Sequence, residues 1–150
     1  MLLVRMKKQK ICHIMTSFTA GGSTENTFIR ISKLTDFADF TICAGKTDYR
    51  INSFETQLKN SGVNLVNIKN LSHGFNPLKD LLAIIELTSF LNSEKFDVVH
   101  THNTKGGLIG RLAAIFAGTP KILHEIHGMP VTNNYAVYYF CFALEKLIQK

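Results

Sequence analysis

The feature that most constrains this chain is its alternation of short apolar runs with helix-length amphipathic stretches. Lys10–Phe18 is an apolar run broken by Thr19-Ala20-Gly21-Gly22-Ser23, and Thr24–Leu34 carries Phe28, Ile31 and Leu34 at helical spacing. Asp39–Ala44 repeats the strand pattern, Ile51–Asn60 reads as a helix stopped by Gly62, and Val63–Ile68 is a third strand. Pro77 opens a helix over Leu78–Asn92, Phe96–His100 is a fourth strand, and Thr104–Ala117 a helix ended by Gly118 and Pro120. Lys121–Ile126 makes a fifth strand, and a last helix is expected over Tyr135–Gln149. Strands separated by helices of this length demand right-handed crossovers onto a parallel sheet. The expected fold is α/β, doubly wound and Rossmann-like, with about five strands.

At 150 residues the chain is one ordinary domain, and its 45% hydrophobic content excludes a disordered polymer. The longest apolar run, Tyr135–Leu144, is ten residues, about half of what a bilayer crossing needs. The net charge of +6 suggests a nucleic-acid surface until it is placed. Arg5, Lys7, Lys8 and Lys10 sit in a leader without acids, whereas the remaining 140 residues carry 13 basic and 11 acidic groups. The charge therefore lies largely in the first ten residues and not on a DNA-binding face, and residues 1–9 are read as a basic leader. Met6 opens an alternative beginning, MKKQKICHIM, which would make Met1–Arg5 an upstream extension. The domain proper is read as residues 10–150. Cys12, Cys43 and Cys141 form no CxxC pair, and the first two sit in strand-like runs as small core residues would.

In doubly wound sheets ligands bind outside the carboxyl ends of the strands, which selects the loops Thr19–Ser23, His100–Gly107 and His127–Asn133. Gly21-Gly22 would let backbone N–H groups approach an anion at a helix N-terminus, or would simply make a tight turn. Neither GxGxxG at that place nor a GxxxxGK[ST] loop is present. His100, His102, His124 and His127 cluster at two strand ends. Zinc held by the His100/His102 and His124/His127 pairs would suit a metal-dependent hydrolase. However, HEIH is not HExxH, and 150 residues cannot build the barrel such enzymes usually use, so no metal is expected. His100 and His124 read as core or capping residues, and His102 and His127 as strand-exit groups able to meet a ligand. Lys105-Gly106-Gly107 opens the next helix, where a lysine could touch phosphate or sugar, or be solvated. Glu86 and Glu94, with seven residues between them, read as surface. Tyr135, Tyr138, Tyr139, Phe140 and Phe142 give the last helix an aromatic face, expected to pack in a core or against a partner.

The segment FDVVHTHNTKGGLIGRLAAIFAGTPKILHEIHGMP closely resembles the N-terminal domain of family 4 glycosyltransferases, and KICHIMTSFTAGGSTENTFIRISKL resembles that family's first strand, loop and helix. The resemblance covers nearly all of the chain from Lys8 onward. It implies the GT-B fold of two facing Rossmann-like domains, and retaining transfer from a nucleotide-sugar donor, a substrate and not a tightly bound cofactor. It further implies that His127 faces the reacting sugar and that Gly21 and Gly22 lie by the donor phosphates and acceptor. His102, Asn103 and Lys105 would contribute to the acceptor side. Such enzymes build envelope glycans, often on a lipid-linked acceptor at the inner membrane face, so a cytoplasmic or peripheral location is implied. The family's donor-binding second domain and its pair of glutamates have no counterpart in this sequence, and Glu86 and Glu94 do not inherit that role. The expectation is a truncated acceptor-side domain, inactive alone, whose partner is the donor-binding domain in cis or as a separate chain. A non-catalytic acceptor-binding or membrane-docking subunit is the alternative.

Overall fold

The computed structural model describes residues 7–19, 22–45, 56–57 and 60–127, with positions 139, 142, 143 and 146. Five strands, β1 (Gln9–Met15), β2 (Ala38–Ala44), β3 (Asn64–Asn67), β4 (Val98–His102) and β5 (Lys121–Glu125), form one sheet. Its order is β3-β2-β1-β4-β5 and every pairing is parallel. The connecting helices are α1 (Gly22–Ser32), α2 (Pro77–Glu94) and α3 (Thr104–Phe116). The doubly wound α/β architecture is as expected.

Local signals account for the helix ends. Asn76 caps α2, its Oδ1 accepting from the Lys79 N–H at 3.1 Å, and Pro77 takes the first position, where its missing N–H costs nothing. Lys95 closes the helix in the left-handed region at φ 56°, its N–H donating to the Leu91 carbonyl. Gly62 has φ +78° where a helix stop was expected; of the helix expected over Ile51–Asn60, positions 56, 57 and 60 are described, and they are helical. The helix expected over Tyr135–Gln149 lies mostly outside the described residues.

The two faces of the sheet hold different cores. Cys12, Ile14, Cys43 and Val99 pack against Leu87 and Leu91 of α2 and Ile109, Ala113 and Ala114 of α3. On the opposite face Met15, Phe40 and Ile42 pack against Phe28 and Ile31 of α1. Cys12 and Cys43 are fully buried free thiols with Sγ atoms 3.5 Å apart, which agrees with their reading as core residues.

Two glycines of the KGGxxG stretch, Gly107 and Gly110, are set by packing. A Cβ on Gly107 would lie 2.2 Å from Cε1 of His124, and one on Gly110 2.7 Å from Cγ2 of Thr101. Gly107 and Gly110 thus let α3 lie close on the sheet, where a side chain would collide, while Gly106 has room for a Cβ at contact distance from Met15. Among the described residues no helix is long and apolar enough to cross a membrane.

Candidate functional site

Strand order reverses between β1 and β4, because β1 continues leftward to β2 while β4 continues rightward to β5. The crevice at their carboxyl ends is the expected ligand position for this topology. Strand alternation sends His13 of β1, His100 and His102 of β4, and Leu123 and Glu125 of β5 to the α1 face. Parallel register places His13 beside His100, and Thr101 beside His124. These side chains floor a trough of about 400 Å³ flanked by Arg30 and Leu34.

Three imidazoles form a line within this site. His13 Nδ1 lies 2.9 Å from His102 Nε2, and His102 Nδ1 lies 2.9 Å from His127 Nε2. Ring centroids are 5.2 Å apart in both pairs, with interplanar angles of 18° and 17°. Those separations exceed the N···N distances by little more than two ring radii, so the rings meet edge to edge and nearly coplanar, not face to face. His100 stands beside the line, 4.5 Å from His102 between centroids. Glu125 closes the cluster: its carboxylate lies 3.5 Å from His100 Nε2, 3.7 Å from His102 Nδ1 and 3.9 Å from His127 Nδ1. Arg30 reaches across from α1 and holds Glu125, its Nη1 at 2.9 Å from Oε1 and 3.0 Å from Oε2.

Burial controls the charge of the line. Desolvation pushes His13 down to about 3, and the neighbouring His100 and Arg30 add to the shift. His102 is pushed down to about 2, chiefly by burial and then by His100, His13, His127 and His124. His100 is lowered as well, by burial against the opposing pull of Glu125. The inner imidazoles are therefore neutral at physiological pH, each with one N–H and one lone pair.

Two groups could offer ligands to a metal, His13/His100/His102 and His102/Glu125/His127, each with its ligand atoms within 4.8 Å of one another. The in-line geometry argues for hydrogen bonds. An ion on the line between two nitrogens 2.9 Å apart would lie closer to each than the ~2.0 Å of a Zn–N bond. Metal binding would require the rings to turn. His124 stands apart from both groups: it lies half-buried under α3, its Nδ1 2.9 Å from Thr101 Oγ1. The His100/His102 and His124/His127 pairs that a zinc site would need are thus split between the two faces of the sheet.

His102 is the last residue of β4 and is 1% exposed, so it sits beneath His127 and not at an open strand exit. The strand runs two residues further than its apolar pattern suggested. Asn103 takes φ 59°, its N–H donating to the Glu125 carbonyl at 3.1 Å and its carbonyl accepting from Gly107 at 2.6 Å. Lys105 is neither solvated nor free for an anion: its Nζ pairs with Asp80 Oδ1 at 2.8 Å and donates to the Gly74 carbonyl. Gly22 is the first residue of α1, whereas Gly21 lies outside the described residues. Glu94 lies on the surface and pairs with Lys10, whereas Glu86 is half-buried and accepts from the Lys69 N–H.

Sequence reasoning missed His13, Arg30, Glu125 and His73. Beyond β1, Thr16 Oγ1 lies 3.1 Å from His73 Nδ1 and Ser17 Oγ 2.6 Å from His73 Nε2. His73 thus joins the loop after β3 to the end of β1. The sequence signal for His13 and Glu125 is their parity within their strands, which puts each on the same face as His102 once strand order is known.

Residues 50–147 match the family model described as glycosyl transferase 4-like. A 61-residue stretch is 41% identical to the UDP-Gal:alpha-D-GlcNAc-diphosphoundecaprenol alpha-1,3-galactosyltransferase of Escherichia coli, covering 41% of the chain and 16% of that relative. Among solved structures, a protein described as UDP-N-acetylglucosamine 2-epimerase from Listeria monocytogenes superposes with a TM-score of 0.62 at 13% identity. It covers 97% of the chain, which spans 39% of it. The calicheamicin glycosyltransferase CalG4 superposes with a TM-score of 0.57 at 14% identity, covering 94% of the chain, which spans 36% of it. At such identities the two structures speak for the Rossmann-like fold alone.

Proposed function

The chain belongs to the glycosyl transferase 4-like family, and from that membership we propose that it forms the acceptor-side half of a retaining sugar-transfer site. The donor is a nucleotide sugar and the acceptor a cell-envelope glycan or lipid-linked saccharide. The galactosyltransferase relative, whose printed name pairs a UDP-sugar with a diphosphoundecaprenol-linked sugar, supports that choice of chemistry. One observation carries the reading. The family match runs from before β3 to beyond β5 and contains the strand-end residues His102, Asn103, Lys105 and His127.

In this reading His127 faces the reacting sugar and hydrogen-bonds it at the carboxyl edge of β5. The Gly21-Gly22 pair admits the donor phosphates at backbone level, where the N-terminus of α1 adds partial positive charge. Breaking the bond between the anomeric carbon and phosphate leaves charge on the diphosphate, and stabilising that charge is the main electrostatic task. The donor-binding second domain performs it, in the same polypeptide or a separate one, so the 150 residues alone do not turn over. The acceptor enters beside Asn103 and the Ser17–His73 pair, and a lipid-linked acceptor would bring the protein to the inner membrane surface. The test is transfer by a two-domain protein carrying these residues. His127→Ala should lower the rate at least ~10²-fold, in the range of a lost polar catalytic group. An unchanged rate would overturn the assignment.

A further inference from the structure

We propose that His102, anchored on His13, is a positioning residue that fixes the ring plane and tautomer of His127, so that His127 presents a protonated Nδ1 to its ligand. The proposal rests on the reading of His127 as the group facing the sugar, but its structural core is independent of that reading. Neutral His102 carries one proton for its two in-line hydrogen bonds, so the chain of three runs in only one of two directions. Either every donor points from His13 toward His127, or every donor points the other way.

Glu125 selects between them. Its carboxylate only accepts, and it stands 3.7 Å from His102 Nδ1 and 3.9 Å from His127 Nδ1. Protons on both Nδ1 atoms face that negative charge, and lone pairs there would face it with repulsion. His13 Nδ1–H then donates to His102 Nε2, and His102 Nδ1–H donates to His127 Nε2. The proton of His127 is left on Nδ1, the reverse of the Nε2–H form that histidine prefers in water. Arg30 secures the selector by holding both oxygens of Glu125. Burial keeps the two inner rings neutral, and a charged ring would break the alternation of donors and acceptors. The near-coplanarity of the rings fixes the direction in which His127 offers its N–H.

Long-range proton–nitrogen NMR correlations of the histidine side chains, recorded on the full chain, read each tautomer directly. His127 and His102 should both appear as Nδ1–H with unprotonated Nε2. In His102→Ala, His127 should change to the Nε2–H form. In His102→Asn, whose amide nitrogen stands near the place of Nδ1, His127 should keep Nδ1–H. An Nε2–H His127 in the unaltered protein would overturn the proposal, and this needs no variant to fold. A folded His102→Ala protein with His127 still Nδ1–H would overturn it equally. In the two-domain enzyme His102→Ala should lower kcat roughly 10–100-fold with KM little changed, as loss of an orienting partner does, and His102→Asn should recover most of it. A His127 found as Nδ1–H whose replacement by Ala leaves transfer unchanged would uphold the relay and remove only the catalytic reading.

Discussion

His102 and His127 meet edge to edge across the ends of neighbouring strands, Nδ1 of the first 2.9 Å from Nε2 of the second. A buried, uncharged imidazole thus lies directly behind the one placed at the strand edge, and the properties of the inner ring become measurable in the whole protein.

Acid should destabilise the fold earlier than its carboxylates alone require. Unfolded histidines titrate near 6.5, whereas His13 and His102 in the fold resist protonation until about 3 and about 2. Between pH 6.5 and 3 the unfolded state binds more protons, so stability falls as pH falls. Two such groups give a slope on the order of 2 kcal/mol per pH unit below pH 6. Urea midpoints at pH 7, 6 and 5 check this, and equal midpoints would contradict it.

Gly107→Ala should be among the costliest single-methyl additions in the chain, because its Cβ would fall 2.2 Å from the His124 ring. Overpacking of this kind costs about 1–3 kcal/mol. The double variant Gly107→Ala/His124→Ala should recover part of the loss, which thermal melts of the three proteins would show.

Lys105→Met should lower stability before it alters any ligand affinity. It strips the partner from Asp80, whose side chain is only 13% exposed, at a cost on the order of 1–3 kcal/mol. Adding Asp80→Asn should restore most of the melting temperature. If Lys105→Met melted like the parent and only acceptor KM rose, the ion pair would be the lesser role of Lys105.

Zinc should not be retained at one ion per chain after purification without chelator, since the in-line imidazole pairs are too close for an ion between them. Elemental analysis settles this. Stoichiometric zinc, lost in His102→Ala, would mean that the rings turn to make one of the two triads.

Much of the architecture was legible in the sequence because its causes are local. Apolar runs mark Cys12 and Ile14 as strand residues, and Pro77 and Gly62 mark helix ends, whereas the packing role of Gly107 and Gly110 shows only in the structure. The site was legible only in outline. His127 could be placed at the end of β5, but His102 was expected at an open exit, because strand boundaries blur where His and Thr replace aliphatic residues.

The sequence by itself determined which segments become strands and helices, their order, and the family to which the pattern belongs. Tertiary structure alone decided that His13 meets His102, 89 residues away, that Arg30 grips Glu125, 95 residues away, and that Lys105 serves Asp80. The physical reason is range. Propensity, capping and periodicity act over a few residues, whereas neighbouring strands are chosen by crossover handedness and by the burial of two separate cores. That choice brought β1 beside β4, and with it a histidine that nothing in its own segment marks as part of a site.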